Sequence, residues 1–396
     1  MKNSTPGSEC IHELSAIKEK YTNKIIYIYA AGVVGGRTYD AIRALTNWKV
    51  AGFFDQDEKK QEYKGINVYH LSDIELLVNQ REDVLMIVAF TDEKEKSMME
   101  TLNQYGVEKS KLISYHSFCM HDLPIYAAYG LDKVFLDTVS MIVTERCTLK
   151  CEKCAIMLPY FSQIREYPLE KLKAEVDILF QKADFLGNFT ITGGEPLLNV
   201  HLKELIQYVG MHYRQQIGSF HIITNGTLEP SVDLLDIMNK YQVAADISDY
   251  TKALPAKKES IEKHVDMYRR YGVATNFLQD IYWVDFGFGE VNHEYTPEQA
   301  TGFFDYCKTR CRGYVDGKLR FCINGYFAAK VLGKEDDECN TFDLVHMGKT
   351  SKDKRKLAEF DIGYNNRGYL EMCQYCNGTC EINQHIIEVG KQCRSH

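Results

Sequence analysis

Three cysteines fall within eight residues, in the run Cys147-Thr-Leu-Lys-Cys151-Glu-Lys-Cys154. Thiolates this close along a chain are gathered by one loop wrapped around a metal centre. Three protein ligands leave one metal position open to a cofactor or substrate, whereas a structural zinc ion or cluster takes four. Zinc is the alternative occupant of the loop, although its usual spacing is paired CxxC units. The apolar stretch Val134 to Val143 runs directly into the loop and reads as a strand, so the cysteines stand at a strand's carboxyl end.

Further strands are expected at Phe189 to Thr192, Ser219 to Thr224 and Val243 to Ser248, with helical patterns between them. This alternation predicts an open or closed (β/α) barrel over residues 134–300. Upstream, the apolar run Lys24 to Ala31 leads into Gly32, Gly35 and Gly36 and a helical stretch, Arg37 to Leu45. With strands at Val50 to Phe54 and Val84 to Phe90 and a helix at Asp92 to Tyr105, residues 1–120 read as an α/β unit with a parallel sheet. Residues 121–133 read as a connection. From Phe303 the pattern breaks into short segments rich in Cys, Gly and aromatic residues, and 301–396 is expected to fold around a metal site. A length of 396 residues accommodates three such units.

The chain has 13 cysteines, and its polar start, MKNSTPGSEC, lacks the apolar core of an export signal. Metal binding is therefore expected rather than disulfides, with a cytoplasmic location. Cys10 and Cys119 lie outside the cysteine clusters and are expected at packing or surface positions. A net charge of -8 argues against nucleic acid as a partner. The densest basic run, Lys349 to Lys356, reads as a solvated helix face. No apolar stretch has the length of a membrane span, so no membrane partner is expected.

CxxxCxxC after the first barrel strand resembles the signature of the radical S-adenosylmethionine (radical SAM) superfamily. Gly193-Gly194-Glu195-Pro196, after a strand, is similar to that family's GGEP motif, and the resemblance implies contact with the amino group of the methionine moiety. Thr224-Asn225 and Ser248-Asp249 fall at later strand ends, where the resemblance implies contacts to ribose and carboxylate. Two departures stand out. The residue before the third cysteine is usually aromatic and here is Lys153, and the glycine-rich adenine motif of the fifth strand has no match, so adenine contacts stay unassigned. The resemblance implies a 4Fe-4S cluster on Cys147, Cys151 and Cys154, whose open iron chelates S-adenosylmethionine. It further implies reductive cleavage to a 5′-deoxyadenosyl radical, hydrogen abstraction from a substrate, and an electron donor such as flavodoxin or ferredoxin. Tyr160, Tyr250, Trp283 and Asp285 lie near these motifs and carry no assigned role.

The last third holds Cys307, Cys311, Cys322, Cys339, Cys373, Cys376, Cys380 and Cys393. Gly317-Lys-Leu-Arg-Phe-Cys322 and Cys373-Gln-Tyr-Cys376 resemble elements of the SPASM and twitch extensions of radical SAM enzymes. One auxiliary 4Fe-4S cluster is implied, with Cys311, Cys322, Cys373 and Cys376 as the favoured ligands and Cys307 as the substitute for Cys311. A zinc ribbon is the alternative. Cys339, Cys380 and Cys393 are left to a second cluster, to no role, or to a thiol that returns hydrogen to a substrate radical.

Ala30-Ala31-Gly32-Val33-Val34-Gly35 reads as a degenerate dinucleotide fingerprint, with Asp55 at the distance of a ribose-binding acid. The unit resembles small Rossmann-like domains that accompany transferases and sugar-modifying enzymes, and a nucleotide there is one expectation. The substrate expected is small and polar, carbohydrate-like or nucleotide-linked, for oxidation, epimerisation or rearrangement. The alternatives are a maturase of peptide or protein side chains and a structural zinc or iron-sulfur interaction protein.

Overall fold

The computed structural model of the chain describes residues 6–91, 93–279, 282–307, 309, 311–379 and 382–393. After the helix Pro6–Tyr21 come β1 (Ile25–Tyr29), the helix Val33–Leu45, β2 (Lys49–Asp55), β3 (Glu62–Tyr63), β4 (Ile66–His70), β5 (Val84–Val88), the helix Glu93–Gln104 and β6 (Leu112–Ser114). They form a six-stranded sheet in the order β3-β4-β2-β1-β5-β6, parallel except for the β3–β4 pair. β1 and β5 are almost wholly buried, as strands covered on both faces by helices must be. The stretch expected as a connection, 121–133, lies mostly within residues 115–130. They form continuous helical turns that bury Leu123, Ile125, Ala127 and Ala128, because their apolar residues have a sheet to pack against.

The barrel strands follow: β7 (Phe135–Ile142), β8 (Phe185–Thr192), β9 (Ile217–Thr224), β10 (Val243–Ser248) and β11 (Thr275–Leu278). They are parallel and in sequence order, with helices Leu169–Lys182, Leu202–His212, Val232–Lys240 and Lys258–Arg270 between them. This is a mixed α/β fold with a partial barrel. β12 (Trp283–Val284) pairs away from this sheet with β16 (Ile386–Ile387). β13 (Arg312–Val315) lies parallel to the far edge of β7, and β14 (Lys318–Arg320) and β15 (Thr341–Asp343) continue antiparallel, so the sheet has eight strands. The carboxyl-terminal segment thus shares the barrel's sheet, and Phe304, Tyr314, Phe327 and Leu357 share its core.

The amino-terminal unit seals the opposite end of the barrel from the cysteines. Phe135 and Phe185, which begin β7 and β8, belong to its apolar core. Arg37 lies over the Tyr115 ring at 5.0 Å, and the Tyr115 hydroxyl donates to buried Asp137 of β7. Cys10 and Cys119 are buried in this unit. The basic run lies on the helix Ser351–Asp361, where Lys352 and Lys356 are exposed and Lys354 reaches Asp132 at 3.1 Å. Among the described residues, no helix is long and apolar enough to cross a membrane.

Candidate radical centre at the barrel mouth

The glycine pair after β8 fastens the cysteine loop to the barrel. Gly194 donates to the Thr144 carbonyl at 3.0 Å, and Glu195 N donates to the Arg146 carbonyl at 2.8 Å. A Cβ on Gly193 would stand 2.3 Å from the Thr144 oxygen, and one on Gly194 2.0 Å from the Arg146 oxygen. Only glycine permits so close an approach, and Gly193 also has φ +150. The motif therefore fixes where Cys147 begins.

Cys147, Cys151 and Cys154 line one cavity of about 280 Å³ together with Gly193, Gly194, Thr224, Asn225, Ser248, Tyr250 and Trp283. Burial raises the thiol pKa of all three, to about 12 for Cys151, where neighbouring Cys154 and Cys147 add to the rise. Such thiols ionise only when a cation neutralises them, which suits a metal site. Among the described residues, no three His, Cys, Asp or Glu side chains converge closely enough to hold a single ion. A cubane spreads its irons and accepts a wider set of thiolates, so the donor set fits a cluster.

The other residues expected at this site divide. Asn225 Nδ2 donates to Thr148 at 3.0 Å and lies 3.7 Å from Cys147 Sγ. Glu195 does not face the cavity. Its buried carboxylate accepts from Leu197 N, Thr224 Oγ1 and Asn225 N at 3.1, 2.8 and 2.8 Å, tying the end of β8 to the end of β9. Pro196 is buried at the start of the turn Pro196–Leu198. Asp249 accepts from Thr251 N at 2.8 Å in a local turn and is not among the cavity-lining residues. Tyr250 and Trp283 meet edge-to-face at 5.9 Å in the cavity wall. Lys153 turns outward to Asp285 and Glu290, at 2.8 and 2.6 Å, beside a second and larger cavity of about 920 Å³ that Tyr160 also lines.

The carboxyl-terminal segment contributes what sequence reasoning missed. Gln392 accepts from Lys150 N at 2.8 Å and donates to Cys151 Sγ at 3.3 Å, and Cys393 N donates to the Lys150 carbonyl. The only sequence signal was a polar residue beside Cys393, some 240 positions from its partners.

The second thiol group requires a correction. Burial is the main cause that raises Cys322, to about 11, and also Cys373 and Cys376; Cys307 raises all three further, and Cys322 raises the latter two. Cys307, Cys322, Cys373 and Cys376 therefore form the neighbourhood. Cys311, favoured from sequence, is not in it. Its thiol donates to Ser140 of β7 at 2.8 Å and lines the barrel cavity with the first three cysteines. The reason is that Cys311 enters the sheet beside β7, whereas Cys307 ends the helix Pro297–Tyr306. Cys339 is buried near Asp337 and Arg367, and Cys380 lies outside the described residues.

The nucleotide expectation at the amino-terminal turn also changes. Asp55 accepts from Ala31 N at 2.8 Å, Asp57 N at 3.0 Å and Lys60 Nζ at 3.1 Å. Tyr63 covers the turn and donates to the Gly32 carbonyl. The acid expected to hold a ribose holds its own loop.

Residues 141–277 match the profile of the Radical SAM superfamily. Residues 141–277, which span the barrel strands from the end of β7 to β11, therefore carry a domain of the radical SAM class. That class implies S-adenosylmethionine and a 4Fe-4S cluster. No curated protein matches the chain. Among solved structures, anSMEcpe with bound AdoMet and Cp18Cys peptide matches at 19% identity over 36% of this chain and 42% of that one, with a TM-score of 0.30. Streptococcus suis SuiB bound to precursor peptide SuiA matches at 14% identity over 62% and 54%, TM-score 0.31. BtrN in complex with AdoMet and 2-DOIA matches at 14% identity over 65% and 95%, TM-score 0.34. The match spans less than half the length of the anSMEcpe chain.

Proposed function

We propose that the chain binds a 4Fe-4S cluster through Cys147, Cys151 and Cys154 and acts on a C–H bond of a small polar substrate, carbohydrate-like or nucleotide-linked. The observation that carries this reading is the shared cavity, where three thiols meet Gly193, Gly194 and the polar ends of β9 and β10. When bound, the cluster and S-adenosylmethionine supply a 5′-deoxyadenosyl radical by reductive C–S cleavage. Gly193 and Gly194 admit the methionine moiety beside the cysteine loop. Thr224, Asn225 and Ser248 offer hydrogen bonds at the strand ends, where barrel sites collect. Tyr250 and Trp283 exclude water from the radical.

Cys307, Cys322, Cys373 and Cys376 hold an auxiliary cluster, and a carrier of the flavodoxin or ferredoxin type delivers electrons. Anaerobic reconstitution, iron counting and an assay for 5′-deoxyadenosine test the reading. Iron with 5′-deoxyadenosine formation supports it; zinc with none refutes it. 5′-Deoxyadenosine stimulated by candidate peptides and not by nucleotide sugars would reassign the substrate class.

A further inference from the structure

The run from Ile386 to Cys393 lies against the cysteine cavity and is tied at both ends. β16 pairs with β12, whose Trp283 stands in the cavity wall. Further on, Gln392 forms an antiparallel bridge with Cys151, where Glu152 N donates to the Lys391 carbonyl at 2.8 Å and Cys393 N to the Lys150 carbonyl at 2.7 Å. Between the ties, Gly390 has φ +68, and a Cβ there would stand 2.2 Å from the Tyr250 ring. Lys391 adds an ion pair to Glu152 at 2.7 Å.

The bridge fixes the Gln392 side chain in one orientation. Lys150 N can only donate, so the atom it meets at 2.8 Å is the amide oxygen. The two Nε2 hydrogens then serve the two acceptors left, the Gly390 carbonyl at 2.6 Å and Cys151 Sγ at 3.3 Å. Cys151 differs in this from its partners. Cys147 Sγ accepts from Leu149 N of its own loop at 3.4 Å, with Asn225 Nδ2 farther off at 3.7 Å. Cys154 meets the backbone N–H groups of Ile156, Met157 and Leu158. Cys151 draws its donor from a side chain 241 positions away.

We propose that Gln392 is a positioning residue for the radical centre: through Cys151 it raises the reduction potential of the cluster held by the loop. This rests on the cluster reading above. Reduction adds one electron, from the ferredoxin- or flavodoxin-type carrier, and no bond forms or breaks in that step. The added negative charge spreads onto the ligating sulfurs, and an N–H donor aimed at one of them favours the reduced form over the oxidised one. Cys151 is buried, so water does not take the donor's place.

The test is a redox titration of the reconstituted full chain, followed by electron paramagnetic resonance at the signal that changes when S-adenosylmethionine is added. That response separates the radical centre from any auxiliary cluster. Gln392→Glu keeps an oxygen for Lys150 N and loses both N–H donors, whereas Gln392→Met, of similar volume, loses donors and acceptor alike without adding charge. In both, the midpoint should fall by about 59 mV, a tenfold change in the one-electron equilibrium. A residue that only ties the tail to the loop predicts iron loss with the midpoint of the remaining centres unmoved. An unmoved midpoint in either variant overturns the proposal; a fall in Gln392→Glu alone reports the added charge. Should neither variant fold, the wild-type chain carrying 15N in its glutamine side-chain amides decides. Coupling of the same signal to that nitrogen is expected, and its absence overturns the proposal. If no signal responds to S-adenosylmethionine in the wild-type chain, the cluster reading itself has failed and the proposal falls with it.

Discussion

Two strands of this protein end in a glycine turn, and the turns are put to opposite uses. After β1, Ala30 to Gly36 is closed by the protein's own groups: Tyr63 and Lys64 crowd Gly36, and Asp55 holds the loop. After β8, Gly193 and Gly194 press against the backbone of the cysteine loop and leave their other side open to a cavity. A glycine-rich turn thus marks close backbone approach, and what approaches decides the function. Ala30 stands where the first glycine of a dinucleotide fingerprint would be, at φ +103, so the first turn keeps the strained backbone without glycine's freedom.

The contrast breaks first at the cysteines. Replacing Cys147, Cys151 and Cys154 together with Ala should abolish 5′-deoxyadenosine formation and remove about four irons per chain, leaving any auxiliary cluster in place. Survival of cleavage would overturn the assignment of the cluster to these three cysteines.

Next come the glycines. Gly194→Ala and Gly35→Ala each set a Cβ within about 2 Å of a carbonyl, at 2.0 and 1.9 Å. Both should lose about 1–3 kcal/mol in denaturant melts. Only Gly194→Ala should also weaken S-adenosylmethionine binding by calorimetry; equal weakening in both would erase the distinction between the turns.

The two carboxylates that hold the turns should respond to pH with opposite sign. Burial raises the pKa of Glu195 above 4.5 despite its three donors. Its contribution to stability is full below 4.5 and is lost as pH rises through the folded value. Asp55 is also penalised by burial, but bonds from Asp57 N, Lys60 and Ala31 N lower it below 3.8. Its contribution is present above 3.8 and is lost as pH falls through its folded value. In melting curves, Glu195→Gln and Asp55→Asn, which both mimic the protonated acid, should approach wild type at the low end of pH 3 to 8. As pH rises they should diverge from it in opposite directions, Asp55→Asn becoming the less stable and Glu195→Gln the more stable relative to wild type.

The smallest effects are expected from Gln392→Ala and from added nucleotide. Gln392→Ala removes two contacts to the cysteine loop, at about 0.5–1.5 kcal/mol each, and should slow S-adenosylmethionine cleavage without abolishing it. Uridine diphosphate should leave the melting temperature unchanged; a rise would reopen the amino-terminal turn as a nucleotide site.

Much of the centre was legible because its chemistry is local. CxxxCxxC puts three thiols on one loop, and the Gly193–Gly194 pair declares a backbone contact, both within reach of short-range reading. Asp249 misled because an acid at a strand end looks the same whether it faces a ligand or caps its own turn. Asp55 misled for the same reason. Glu195 was read within its motif, yet its carboxylate bonds across strands to Thr224 and Asn225, a pairing that requires the sheet.

The sequence by itself determined the strand and helix alternation and the cysteine loop that carries the resemblance to radical SAM domains, since hydrophobic period and ligand spacing are properties of neighbouring residues. Tertiary structure alone decided which cysteine belongs where. Cys307 and Cys311 are four positions apart, yet one ends a helix beside Cys322, Cys373 and Cys376, while the other enters the sheet beside Ser140 and faces the barrel. Strand pairing of β13 with β7 makes that choice, and it brings Cys311 beside Ser140, 171 positions away along the chain.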